Sequence, residues 1–400
     1  MPTNQDSHWL NLKRLRLYSR TVVAVFLILA LGLVFHSNII DPNGFPLVFD
    51  FGVFWGAAHL TLQGHPADAY QFAHLQAVVQ TIIPVVKEGS YGWFYPPTFF
   101  LIVTPLALLP YLWAYLVFMV LTLLAYGLVV QRIIPGRDAL WCLAGFSGVW
   151  INLLLGQNAF LTAALAGAAL MQLDRRPMLS GVLIGFLSIK PQLALLFPVA
   201  LVAAGAWRTL LSATFVALVL MLAAAVVFGV DTLTSWWDSL GLARTFLEVG
   251  GMAYWMKMPT VFAFLHLLGT PLALCYLGHV LVAVGTVGVI WRIWSNCTEP
   301  SLRNAALITG TFLISPYLFE YDLAWLALPM AWMTKIGLEQ GWLRWEREIL
   351  MLAWLLPFLM MIMARVVPIQ IGPWVSLSLL VVILRRARAA GTQGKIDARA

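Results

Sequence analysis

Apolar runs separated by short polar turns recur from Thr21 to Leu384 with no long polar interval between them. A membrane-spanning helix needs about 20 mainly apolar residues, and fewer when it is tilted or surrounded by protein. On that measure the pattern predicts crossings near 21–41, 111–131, 138–155, 159–173, 178–190, 191–206, 208–229, 271–292, 304–318, 321–337, 348–364 and 373–385, roughly twelve. Two further apolar stretches, 95–110 and 259–269, would break the alternation if they crossed fully. They are predicted to be re-entrant or half-membrane helices, which lipid tolerates only when protein shields their ends. The predicted fold class is an all-α polytopic membrane protein, a single membrane domain over residues 1–400.

Most of the soluble-looking sequence falls in two segments, 42–94 and 230–258. The first opens with the turn-rich Asp41-Pro-Asn-Gly-Phe-Pro. Within 51–63, Phe54, Trp55, Ala58 and Leu62 recur at helical spacing, which predicts a helix lying in the interface. Residues 67–86 are similarly amphipathic, with Pro66 near the start. In the second segment Trp236, Trp237, Tyr254 and Trp255 suit the headgroup layer.

Charge orients this pattern. Lys13, Arg14, Arg16 and Arg20 precede the first run and place residues 1–20 in the cytoplasm, because Lys and Arg concentrate in cytoplasmic loops. That run is long and lacks a small-x-small cleavage site, so it reads as a retained helix rather than a signal peptide. Strict alternation then puts all but five of the 24 Lys and Arg inside, the exceptions being Lys87, Lys190, Arg244, Lys257 and Arg365. Segments 42–94 and 230–258 become outer, periplasmic loops, and 386–400 becomes a cytoplasmic tail whose basic residues from Arg385 to Arg399 should touch anionic membrane lipids. With 61% hydrophobic and only 10% charged residues, a soluble globular enzyme is excluded. The net charge of +7 sits in turns and not on one basic face, so nucleic acid is not an expected partner. Cys142, Cys275 and Cys297 match no zinc or redox spacing.

The same alternation sends a set of polar residues to the outer boundary: Asp50, Tyr95, Gln157, Asn158, Lys190, Gln192, Glu320, Tyr321 and Asp322. Charges at membrane depth cost several kcal/mol unless paired or hydrated, which makes this rim a candidate catalytic site. Each residue also has a plainer use. Asp50 suits a helix cap, Lys190 can snorkel to headgroups, and Gln157 and Asn158 can terminate helices. Tyr95-Pro96-Pro97 is a common helix entry, and Glu320 or Asp322 can pair with a cation for packing. The histidines show no zinc-type spacing.

An acidic residue after the first helix, then Ala57-Ala58-His59-Leu60-Thr61-Leu62-Gln63-Gly64 with Tyr70, then Tyr95-Pro96-Pro97, resembles the opening of the family 87 glycosyltransferases. Gly156-Gln157-Asn158, the run from Gly181 to Pro191 and Ser315-Pro316 followed by Tyr321-Asp322-Leu323 are similar to later motifs of that family, in the same order over about residues 20–340. The resemblance implies a GT-C fold in a bacterial inner membrane, with the active site facing the periplasm. It further implies a polyprenyl-phosphate sugar donor, with mannose as the expected hexose, and a lipid or glycan acceptor. By that analogy Asp50 is the catalytic base. An inverting transfer needs a carboxylate to take the acceptor proton and positioned donors or cations for the leaving phosphate; Lys190 supplies a point charge and Gln157, Asn158 and Tyr95 neutral hydrogen bonds. One departure stands out: relatives often carry a histidine where this chain has Ser315-Pro316-Tyr317-Leu318-Phe319-Glu320. No cofactor is required by the pattern, although Asp50 with Glu320 or Asp322 offers oxygen ligands for a divalent metal. The alternative reading is a polytopic transporter or lipid flippase, since intramembrane charges and broken helices also mark transport sites; no repeat relates the two halves.

Overall fold

A computed structural model describes residues 8–36, 49–83 and 92–397. The turn-rich opening at Asp41 and Lys87 lie outside the described residues. The chain begins with α1 (Leu12–His36), α2 (Phe49–Leu62), a 3₁₀ segment at Pro66–Tyr70 and α3 (Phe72–Ile82). A broken piece follows: 3₁₀ at Pro97–Phe99, α4 (Phe100–Val103) and 3₁₀ at Thr104–Leu108. Next come α5 (Tyr111–Ile133), α6 (Arg137–Ala144), α7 (Ser147–Leu155), α8 (Ala159–Gln172) and α9 (Pro177–Gly185), which continues as 3₁₀ turns at Phe186–Ile189 and Pro191–Leu193 into α10 (Phe197–Ala203). The remainder is α11 (Trp207–Phe228), α12 (Val230–Val249), α13 (Met252–Trp255), α14 (Val261–Leu267), α15 (Leu272–Asn296), α16 (Pro300–Thr311), 3₁₀ at Glu320–Leu326, α17 (Ala327–Gln340), α18 (Glu346–Val366) and α19 (Gly372–Asp397). Among the described residues there is no strand.

Among the described residues five helices are long and apolar enough to cross a membrane: α1, α5, α11, α15 and α18. The pair α6 and α7, bent by 55°, makes a sixth if it counts as one span. Most of the other apolar runs form shorter helices, whereas 373–385 lies within the 26 residues of α19. At about 1.5 Å per residue, the 14 residues of α8 fall short of the ~30 Å hydrocarbon layer. Their surroundings explain why they stand: Ala159, Phe160, Ala163, Ala166 and Ala169 of α8 have no exposed surface, so this helix is enclosed by protein. By contrast only 11% of the apolar window of α11 is buried, which leaves most of its apolar surface uncovered by protein, as suits a helix in contact with lipid.

Small residues set the tightest packing. A Cβ on Gly181 would come within 2.5 Å of Ser212 Cβ and Thr209 O, and one on Gly185 within 2.6 Å of Val216 Cβ. The backbones of α9 and α11 therefore touch along a Gly-x-x-x-Gly edge, the arrangement that drives helix association in lipid. Thr209 Oγ1 and Ser212 Oγ donate to the carbonyls of Pro177 (3.0 Å) and Met178 (2.9 Å) across the same seam.

Polar links join helix ends in two groups. Arg16–Asp138 (2.8 Å), His8–Glu348 (3.0 Å), Arg303–Asp174 (3.0 Å) and Arg386–Glu346 (2.7 Å) connect ends that alternation assigns to the inside. Gln157–Asp50 (2.8 Å), Lys190–Asp322 (2.6 Å) and Gln370–Met256 (2.9 Å) connect ends assigned to the outside.

Several local expectations change. Helix α2 buries Phe51, Phe54, Ala57 and Ala58 in the main core, while Leu62 is exposed; the helix is packed inside protein instead of floating in the interface. Pro66 opens a 3₁₀ turn, and the amphipathic helix starts only at Phe72. Segment 230–258 is largely the 20-residue helix α12. The tail continues α19, and Arg386 is buried against Glu346 instead of being free for lipid, its guanidinium making two bonds of 2.7 and 2.8 Å to that carboxylate.

Candidate active site

Asp50 lies in the first turn of α2, half-buried. What brings it to its partner is Gly156. That residue ends α7 with φ +74°, its N–H donating to Asn152 O at 2.9 Å, and a Cβ there would sit 2.5 Å from Phe51 Cβ. Only glycine permits both the left-handed backbone and the close approach. The next residue, Gln157, then donates from Nε2 to Asp50 Oδ2 at 2.8 Å and accepts from the Tyr95 hydroxyl on Oε1 at 3.0 Å. The chain Tyr95 to Gln157 to Asp50 fixes the amide orientation, because the reverse would set oxygen against carboxylate.

Tyr95 is itself held on every side. Tyr70 donates to its carbonyl at 2.8 Å, and its ring packs against Phe54 and Phe99 with centroids at 5.3 and 4.8 Å. Pro96 and Pro97 open the following 3₁₀ turn, so the helix-entry role and the polar contact coexist. Thr98 Oγ1 donates to Ser188 O at 3.2 Å, tying this segment to the turn that carries Lys190.

Lys190 ends the 3₁₀ continuation of α9. Its ammonium donates to Asp322 Oδ1 at 2.6 Å, with 3% and 1% of the two side chains exposed, and stands 4.6 Å from the Tyr321 ring centroid. Asp322 Oδ2 accepts the Phe319 N–H at 3.3 Å, so the same carboxylate caps the 3₁₀ segment that leads into α17. Lys190 is thus an ion-paired core lysine, neither snorkelling nor a free point charge. Asn158 reaches towards the Tyr95 hydroxyl but is fully buried with neither amide atom in a well-formed hydrogen bond among the described residues. Gln192 is half-buried one turn beyond and makes no side-chain hydrogen bond among the described residues, which leaves it outside the cluster.

Electrostatics link the two halves. Burial pushes the Asp50 carboxyl above its ordinary range, while the Gln157 hydrogen bond and the positive charges of Lys257 and Lys190 pull it back. Burial also raises Glu320, with Lys257 opposing and Asp50 adding to the rise. Asp50 thus feels the charges of both Lys190 and Lys257, and the Thr98–Ser188 bond joins the Tyr95 segment to the turn that carries Lys190. Sequence reasoning placed Lys257 at the outer boundary but gave it no role; its only signal was a cation left on the side poor in cations.

Among the described residues no three His, Cys, Asp or Glu side chains converge as a metal site. Two shallow, open concavities, about 300 Å³ at Arg244, Tyr276 and Tyr317 and about 440 Å³ around Asp174, Arg208 and Arg303, share no residue with the polar cluster. The cluster is recognised by its chemistry: a half-exposed carboxylate oriented by an amide relay, beside a buried ion pair and a surface lysine.

Neither a curated protein nor a solved structure matches the chain. The model of glycosyltransferase family 87 matches residues 93–316, a span that contains Tyr95, Gln157, Asn158, Lys190 and Lys257 and is flanked by Asp50 and by Glu320 to Asp322. Since that match covers more than half of this all-helical, membrane-type chain, the protein belongs to glycosyltransferase family 87.

Proposed function

We propose that this membrane glycosyltransferase passes a hexosyl group, by family resemblance mannosyl, from a polyprenyl-phosphate donor to a hydroxyl of a lipid or glycan acceptor, with inversion. The reading includes a GT-C fold of about twelve crossings, the shorter ones enclosed by protein, and an active site on the periplasmic face of a bacterial inner membrane. The pairing of polar links by helix end supports that alternation.

The observation that carries the proposal is the amide relay. Gln157 occupies Asp50 Oδ2, leaving Oδ1 to face an incoming hydroxyl. A carboxyl raised by burial is a better proton acceptor than an ordinary one once ionised. In the step, Asp50 takes the acceptor proton and the acceptor oxygen bonds to the anomeric carbon. The bond from that carbon to the phosphate oxygen breaks on the opposite face, and polyprenyl phosphate leaves with the electron pair. Tyr95, Tyr321 and Asn158 line the polar surroundings of the sugar. Lys190 and Asp322 hold the 320–326 segment in place.

The test uses full-length protein in proteoliposomes with polyprenyl-phosphate [3H]mannose and a membrane lipid extract as acceptor. Asp50→Asn should lose transfer by about 10²-fold or more while keeping its expression and melting temperature. Near-normal turnover by this variant would remove the base assignment. Label crossing the bilayer with no new glycosidic bond would mean transport.

A further inference from the structure

We propose that Lys257, not Lys190, is the cation that receives the donor phosphate. This rests on the polyprenyl-phosphate reading above and assigns the part of the site that meets the lipid headgroup.

Lys190 is already committed. A phosphate reaching its ammonium would displace Asp322 from a 2.6 Å contact in a place almost closed to solvent and would meet the Asp322 carboxylate as a second negative charge. Losing one partner of a buried pair is strongly unfavourable, so the pair is a poor receptor for an anion that comes and goes with each turnover.

Lys257 has the opposite character. It is exposed, and among the described residues its ammonium has no salt bridge or hydrogen bond. Its backbone is nevertheless fixed. The Lys257 N–H donates to Tyr254 O at 2.9 Å. The preceding carbonyl, of Met256, accepts from the buried Gln370 at 2.9 Å. Pro259 lies so close to Gly372 that a Cβ there would be 2.5 Å from the proline ring, and Thr260 caps α14 by accepting from Ala263 N at 3.2 Å. A flexible four-carbon stem with three donors thus rises from an anchored base, the form in which lysine binds phosphate as a point charge.

Its location completes the argument. The Tyr254 ring meets Phe246 at 5.1 Å, Phe246 meets Phe72 at 6.4 Å and Phe72 meets Phe94, the neighbour of Tyr95, at 6.0 Å. The buried Met258 shares an apolar cluster with Tyr317 and with Phe319, the neighbour of Glu320, and the charge of Lys257 acts on both Asp50 and Glu320. Lys257 lies between those two anchors, at the margin of a cluster in which Asp50, Glu320 and Asp322 outnumber Lys190 among the remaining charged groups. As the glycosidic bond to phosphate breaks, the leaving group gains negative charge and needs a cation not yet neutralised. Lys257 meets that need.

The experiment measures binding of two probes, polyprenyl phosphate and the corresponding polyprenol, to full-length protein in nanodiscs of neutral lipid, at low and high salt. Wild-type protein should prefer the phosphate, and salt should weaken that preference because the cation is exposed. Lys257→Gln should lower phosphate affinity about tenfold or more with polyprenol affinity unchanged, and Lys257→Arg should restore most of it. If Lys257→Gln keeps the phosphate preference and only moves the acid limb of transfer to higher pH, the lysine merely tunes Asp50 and the proposal is overturned while the enzyme reading stands. If wild-type protein shows no preference for the phosphate, the donor reading itself fails and this inference falls with it.

Discussion

Removing one partner of the Lys190–Asp322 pair is the most direct measure of what holds the candidate site together. At 2.6 Å the attraction is worth about 6 kcal/mol for an effective dielectric of about 20, set against a desolvation penalty of several kcal/mol for each ion. The intact pair is therefore close to neutral in net stability, whereas a single lost partner leaves an uncompensated charge with 3% or less of its side chain exposed. Lys190→Met and Asp322→Asn are each expected to destabilise the protein by about 3–5 kcal/mol. The double variant should recover most of that loss, because Asn can still accept the Phe319 N–H that Asp322 accepts and caps about as well as Asp. Denaturant titration of purified protein in micelles, followed by tryptophan fluorescence, gives the three values and their coupling. A double variant as unstable as the two single losses added together would refute the reasoning.

Further outcomes follow from the same geometry. Gln157→Leu removes a bond that lowers the Asp50 pKa, so the acid limb of kcat/KM should move to higher pH; an unmoved limb would separate Gln157 from the base. Because the folded-state pKa of Asp50 is raised, its protonated form contributes stability that is lost as pH rises through that pKa. Gln157, Lys190, Lys257 and Glu320 all face it, and Asp50→Asn should be at least as stable as wild type at neutral pH while inactive, which thermal melts at several pH values will check. Gly156→Ala forces a left-handed alanine against Phe51 and should cost about 2 kcal/mol or more, with transfer falling in parallel; an unchanged melt and rate would show that α2 and α7 separate easily. Glu346→Gln strips the carboxylate from a buried guanidinium and should cost about 3 kcal/mol or more, measured in the same micelle titration with transfer activity as a control for the distant site.

The hydropathy pattern reports where apolar segments begin and end, and the polar residues it leaves at the outer turns fall into two bonded groups, Tyr95–Gln157–Asp50 and Lys190–Asp322, with the Thr98–Ser188 bond tying the Tyr95 segment to the turn of Lys190. What the pattern lacks is the identity of the apolar surroundings. An alanine-rich run such as 159–172 and a leucine-rich run such as 207–228 are both apolar, yet one is enclosed by protein and the other is left largely uncovered by it. The same limit hid the burial of α2, where Phe51 and Ala57 mattered more than Leu62. Pairing was equally hidden. Nothing local to Lys190 indicates that its partner is Asp322 rather than Glu320, since spacing along the chain carries no information about which turns adjoin. Arg386 belongs to a basic run that reads as a membrane-facing tail, and only the fold reveals Glu346 beside it. Lys257 escaped because an isolated lysine in a long loop looks solvated; the role proposed for it comes from the carboxyls on which its charge acts.

The 132 residues that separate Lys190 from Asp322 have a consequence for how the molecule is made. During synthesis the lysine enters an apolar hairpin long before its counter-ion leaves the ribosome, and an ammonium without a partner at that depth is costly. Until the segment beginning at Glu320 emerges, the nascent chain holds an exposed defect that water, lipid phosphates or an insertion chaperone must shield. Chains stopped short of Asp322 should thus be short-lived substrates of membrane quality control, and the enzyme should acquire its working centre and its resistance to proteolysis together, late in biogenesis.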